Sequence, residues 1–252
     1  MFPIALLTDF GSRDSFVATM KGVILSLAPK APIIDLCHEI PPQDLRAAAF
    51  QLRTAEPYFP PASLFVCVVD PGVGSRRKII WGENGRHQFL APDNGLLSWL
   101  QRPIRRWRSV ENKGLFLPKL SATFHGRDIF APVAARLWLG LPPARLGPAM
   151  DRPIVLPFPK VEATAKGVRG EILYIDRFGN AITNLSHADI GDCRSVAFRG
   201  KSLGAPRSQY AQTERGRPLA LFGSSGFLEL SVRDSHFAKR FHARPGNRVD
   251  CR

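Results

Sequence analysis

FVCVVDPGVGSRRK, Phe65 to Lys78, is the stretch on which the reading of this chain turns. It opens as a continuous apolar run, closes on Asp70, turns on Gly72 and Gly74, and ends on three consecutive cations. Continuous rather than alternating apolarity is what a strand buried on both faces shows, as in a parallel sheet covered by helices. A phosphate cradle of the P-loop type needs GxxxxGK followed by Ser or Thr, and GVGSRRK does not supply it. Asp70 must therefore be explained on its own terms.

The theme recurs through the first half. IALLTDFG, APIIDLCHE and HQFLAPDNG are also short apolar runs, each reaching an aspartate before a turn or loop. Between them, DSFVATMKGVILSLAPKA and PPQDLRAAAFQLRTA carry apolar residues at helical spacing, with Asp14 and Asp44 near their starts, where an acid suits a helix N-terminus. Strand–helix–strand repetition implies a parallel sheet, and such sheets bind ligands beyond the carboxyl ends of their strands. Asp9, Asp35, Asp70 and Asp93 are thus candidates for one rim, with Asp35 read as a local cap. The proline-rich DRPIVLPFPKVEATAKG then breaks the pattern, and short β-rich runs separated by Gly, Asn and Ser follow. The reading is α/β: a parallel-sheet βαβ domain over residues 1–155, a linker over 156–168, and a smaller antiparallel β-barrel-like domain over 169–252.

Composition bounds the function. The 252 residues, 44% hydrophobic and 22% charged, suit a soluble globular protein. No apolar run approaches the ~20 residues of a membrane span, so no membrane partner is expected. The opening MFPIALLTDFG lacks the cationic lead of a secretory leader, and a cytoplasmic location follows. Cys37, Cys67, Cys193 and Cys251 form no CxxC pair and are read as reduced thiols rather than a disulfide framework. The net charge of +14 invites a nucleic-acid reading. The cations are dispersed, however, without an RNP-like motif or recognition helix, so a solvated basic surface is expected.

Three features carry chemistry together: Asp70 with Arg77, His125 in ATFHGRDIFAP, and Asn180 in YIDRFGNAITN. No metal is expected, since CHEI lacks the second histidine of HExxH and the histidines show no ligand spacing. An aspartate, an arginine and a histidine without a metal suggest a proton-handling set, because arginine keeps a carboxylate ionised and histidine carries a proton near neutrality.

In this company LLTDFGSRDSFVATMKGVI, HEIPPQDLRAAAFQL, VVDPGVGSRR, APDNGLLS, TFHGRDIFAP, YIDRFGNAITNL and SSGFLEL make the chain resemble the S-adenosyl-L-methionine hydroxide adenosyltransferases, relatives of the fluorinase and chlorinase enzymes. The motifs stand in family order from Leu6 to about Val232. The resemblance implies hydrolysis of S-adenosyl-L-methionine to adenosine and L-methionine, with water or hydroxide attacking the ribose C5′ and no cofactor beyond the substrate. It implies Asp70, Arg77 and His125 as the water-handling set, with the Gly72 and Gly74 backbone approaching the substrate. Asp9 matches the ribose-binding carboxylate, while Asp14, Asp176 and Ser224 match contacts to the amino-acid portion. Phe178 and Asn180 match the adenine site, Tyr210 a second stacking aromatic, and Phe124 and Asn94 pocket lining. It further implies a homotrimer, each adenosine site lying between the first domain of one subunit and the second domain of its neighbour.

Halogenating relatives replace the aspartate matched by Asp70, and the fluorinase has a serine where this chain has Gly126. Both differences favour hydroxide over halide. VRDSHFAKRF, in turn, replaces the small polar stretch that usually follows the LEL motif. Two alternatives stand beside hydrolysis: a chlorinase-like halide-using transferase, and a basic nucleoside- or RNA-binding protein without catalysis.

Overall fold

The structure, a computed structural model, describes residues 2–252 and divides into two compact units, the first ending at Pro157 and the second running from Phe158 to Arg252. In the first unit, β1 (Ile4–Thr8), α1 (Phe16–Leu27), β2 (Ile33–Cys37), α2 (Leu45–Ala55) and β3 (Leu64–Val68) alternate as the sequence predicts. They are followed by β4 (Ile79–Glu83), β5 (Gln88–Pro92), β6 (Arg106–Ser109) and α3 (Ala131–Trp138). The six strands form one sheet in the order β2-β1-β3-β5-β4-β6. β1 runs parallel to β2 and β3, and β3 parallel to β5. β4 departs from the parallel expectation, pairing antiparallel with both β5 and β6.

Every residue of β1 and β3 is buried, the cause of their uninterrupted apolar runs. Leu64, Val66 and Val68 of β3 pack in one core with Met20 and Ile24 of α1 and Val133 and Ala134 of α3. Phe65, pointing to the other face by strand alternation, stacks on Phe89 at 5.4 Å between ring centroids. Asp44 caps α2, its carboxylate accepting the Ala47 N–H at 2.9 Å. Asp14 is exposed and precedes the N-cap residue of α1, Ser15.

The second unit holds β7 (Glu162–Thr164), β8 (Gly167–Ile175), β9 (Ala181–Ser186), α4 (His187–Ile190), β10 (Val196–Phe198), β11 (Lys201–Gly204), β12 (Pro218–Phe222), β13 (Phe227–Val232), α5 (Phe237–Phe241) and β14 (Arg248–Cys251). Its sheet runs β11-β10-β14-β8-β9-β13-β12, with β7 beside β8, and every pairing is antiparallel. Past β11, Arg207 bridges to Leu221 of β12, which nearly closes the sheet into a barrel.

Two sequence expectations change. The stretch 156–168, expected as linker, supplies β7 and the first residues of β8. Cys193 and Cys251, read as reduced thiols, are joined in a disulfide with their Cα atoms 5.9 Å apart. Their separation of 58 residues hid the pairing, because only the barrel brings the segment after α4 beside β14. Cys37 and the buried Cys67 are free.

Candidate active site

Because β1, β3 and β5 are parallel neighbours, Asp9, Asp70 and Asp93 all follow the carboxyl ends of adjacent strands. Asp35 instead lies inside the edge strand β2, exposed, bonded to Lys21 at 2.6 Å and to His38 at 2.9 Å. Asp35 is thus apart from the rim, as its local reading expected, though it sits within a strand rather than capping a turn.

Asp70 and Arg77 face each other across the glycine turn. The Arg77 Nε donates to both carboxylate oxygens, at 3.0 and 2.9 Å, and Nη2 donates to Oδ2 as well. This fork is the strongest form of charge-assisted pairing. Both side chains are largely buried, 6% exposed for Asp70 and 12% for Arg77. Nη2 also lies 2.9 Å from His125 Nδ1. Since guanidinium can only donate, Nδ1 accepts, and the neutral ring carries its proton on Nε2. Burial and the Arg77 charge hold the imidazole below its usual pKa, against the opposing charges of Asp70 and Asp128.

The glycines serve this packing. A Cβ on Gly74, at φ +78°, would stand 2.5 Å from the Ala122 carbonyl oxygen, and one on Gly72 would stand 3.1 Å from Arg77 Cγ. Lacking side chains, the turn lies against the segment that carries His125 and delivers Arg77 to it. His125 itself precedes a π-helical turn, Gly126–Phe130, that runs into α3. Such turns recur at functional sites.

The other predicted residues of this unit are spread around that row. Asp9 accepts the Gln43 N–H at 2.8 Å, tying the end of β1 to the loop before α2. Asn94 donates to the Val69 carbonyl at 2.9 Å, beside Asp70, and its own Oδ1 accepts from Leu96 N. Phe124 packs edge-on against Phe10 and Phe16, with the Arg127 guanidinium 5.2 Å from its ring centre. Asp14 remains on the exposed loop.

In the second unit, Asp176 and Asn180 close the turn between β8 and β9. Asn180 donates to the Asp176 carboxylate through its backbone N–H at 2.8 Å and its amide Nδ2 at 2.9 Å. Phe178 stands at the tip, 76% exposed. Phe178, Asn180 and Tyr210 line a cavity of about 840 Å³, together with Ser235 and His236. This is room for a nucleoside-sized ligand. Ser224 is exposed on the turn between β12 and β13.

Sequence reasoning passed over several residues that shape these sites. Asp128 is fully buried, paired with Arg127 and accepting the Ser121 N–H at 2.6 Å, and so fastens the loop before His125. Thr8 and His38 bond at 2.9 Å beneath the Asp9 turn. Glu229, only 5% exposed, lies under Tyr210. For Asp128 and Glu229 a signal was present, an acid set in or beside an apolar run; Thr8 and His38 gave none. Among the described residues no group of three or more acids, histidines or cysteines could hold a metal ion.

The comparisons with known proteins align with this two-unit layout. Family models described as SAM hydroxide adenosyltransferase N-terminal and C-terminal domains match residues 4–147 and 170–250. The (R)-S-adenosyl-L-methionine hydrolase of Thermus thermophilus is 43% identical over 92% of this chain and 92% of its own. That of Salinispora tropica is 44% identical over 98% of this chain and 96% of its own. A fluorinase from an Actinoplanes species is more distant, 27% identical over 74% of this chain and 72% of its own. Among solved structures, an uncharacterized conserved protein from Thermotoga maritima superposes with a TM-score of 0.91 at 35% identity, covering 98% of this chain and 99% of that one.

Proposed function

Since the chain belongs to the SAM hydroxide adenosyltransferase family, we infer that it is an S-adenosyl-L-methionine hydrolase, splitting its substrate into adenosine and L-methionine. The observation that carries the mechanism is the hydrogen-bonded row Asp70–Arg77–His125 at the strand ends. The sulfonium is already a cationic leaving group, so the work left to the protein is to hold water in line with C5′. The water oxygen forms a bond to C5′ as the C5′–S bond breaks, its electron pair passing to sulfur to give the methionine thioether. One proton per turnover leaves for solvent. Asp70, held in place by the Arg77 fork, accepts a hydrogen bond from the water and turns its lone pair toward carbon. Neutral His125 presents Nε2–H as the complementary donor.

The remaining roles belong to the same proposal. Asp9 takes the ribose hydroxyls, and Asp14, Asp176 and Ser224 take the amino-acid portion. Phe178, Tyr210 and Asn180 take the adenine, with Phe124 lining the pocket. Asn94, engaged on both ends of its amide, holds the Asp70 strand end in place. Substrate groups are thus assigned to both units, which supports a homotrimer in which one subunit's first unit meets a neighbour's second. No cofactor or metal is required, and a cytoplasmic location is retained. Among the described residues no helix is long and apolar enough to cross a membrane.

The test is incubation of purified protein with S-adenosyl-L-methionine, with and without chloride and chelator, and chromatographic resolution of the products. Adenosine and methionine in equal amounts, independent of halide and chelator, are expected. A halogenated nucleoside appearing with chloride would overturn hydrolysis in favour of halide transfer.

A further inference from the structure

Strand β13 has two faces of opposite character. Leu228, Leu230 and Val232 point into the barrel core, while Glu229 and Ser231 alternate to the other side, and Arg233 follows directly on the strand end. That polar side is nevertheless buried through Ser231, because the irregular segment between β11 and β12 lies over it. Glu229 accepts a hydrogen bond from the Tyr210 hydroxyl and, at 3.2 Å, another from that of Ser231. Four residues on, Arg233 donates from Nη1 to the carbonyls of Ala211 and Thr213, at 3.2 and 2.7 Å. Gly223 is shaped to the same end, since a Cβ there would stand 2.2 Å from Glu229 Oε2.

We propose that residues 208–213 form a strap across the nucleoside cavity, fastened at two points, by Glu229 of β13 and by Arg233 just past its end, and that Glu229 is the positioning residue that fixes the Tyr210 ring as its wall. The nucleoside part of this proposal rests on the functional reading above; the fastening does not. A carboxylate buried in a sheet interior is costly unless its acceptors are satisfied. The tyrosine hydroxyl supplies one partner that a phenylalanine at the same place could not. Burial also raises the Glu229 pKa in spite of the hydrogen bonds from Tyr210 and Ser231, with Asp176 adding to the rise. Glu229 therefore acts through Tyr210, without touching substrate.

The experiment compares wild type with Tyr210→Phe, Glu229→Gln, Glu229→Ala and the Tyr210→Phe/Glu229→Ala double variant. Two readouts are followed: tryptic cleavage after Arg207 and Arg215, which flank the strap, and adenosine affinity by calorimetry. Tyr210→Phe and Glu229→Ala are expected to speed cleavage and weaken adenosine binding about tenfold each. The double variant is expected to be no worse than the weaker single. Glu229→Gln, whose amide oxygen still accepts from the tyrosine, stays near wild type in cleavage. Unchanged cleavage in both single variants, or multiplied effects in the double, overturns the strap. If wild type binds no adenosine while cleavage follows the expected order, the strap stands and the nucleoside reading falls.

Discussion

Asp70 earns its place through its partners. Replacing it by alanine is expected to lower kcat at least about a hundredfold while KM changes less than about threefold, because the lost contact is to water and not to the nucleoside. Equal losses in kcat and affinity, measured by initial rates and adenosine titration, would make Asp70 a structural cap. His125 gives a pH signature. Its pKa is depressed, so it is neutral at pH 7, and acidification below the usual value near 6.5 must eventually protonate Nδ1. The new N–H then points at the Arg77 guanidinium and breaks the row. Activity is therefore expected to fall with pH on an acid limb displaced below 6.5, and His125→Asn, which cannot titrate, should flatten that limb in a kcat/KM profile. The residue types of this set were legible from DPGVGSRR and FHGRD. Their hydrogen-bond order was not, since 48 residues separate Arg77 from His125.

The turn Asp70–Arg77 is the element on which the row depends. Gly74 combines a left-handed φ with a 2.5 Å approach to a backbone oxygen, so neither torsion nor neighbour can yield easily to a side chain. Gly74→Ala is expected to shift the turn away from the His125 segment and cut kcat about tenfold or more, with thermal stability lowered by about 1–3 kcal/mol. Wild-type kcat in that variant would show that Arg77 reaches His125 without the turn's help. Alternation of strands and helices was readable in the first unit because β1 and β3 are buried on both faces and their sequences are apolar throughout. β4 and its antiparallel pairing escaped notice because IIWGE follows directly on the cationic turn and carries no helix before β5. In the second unit the Gly, Asn and Ser turns announced an antiparallel sheet. Of the strap residues the resemblance announced only Tyr210, and their fastening by Glu229 and Arg233 went unannounced.

At the scale of the whole molecule, the proposed assembly makes a prediction that a self-sufficient chain would not meet. Asp70→Ala and Asn180→Ala, each nearly inactive alone, should recover activity when co-refolded, because mixed trimers contain sites built from one intact first unit and one intact second unit. With random assembly about a quarter of sites combine the two intact halves, so recovery to roughly a quarter of wild-type kcat is expected. No recovery, with mixed oligomers confirmed by mass, would put each complete site within one chain. What the sequence by itself determined is the alternation of elements, the turn chemistry and the inventory of reactive side chains. Those are local properties, written in apolar period, in glycine and in residue type. Tertiary structure alone decided that Arg77 also reaches His125, that Cys193 meets Cys251, and that Glu229 lies beneath Tyr210. Each joins residues far apart in the chain, and their meeting follows from strand order and loop packing, which no local pattern encodes.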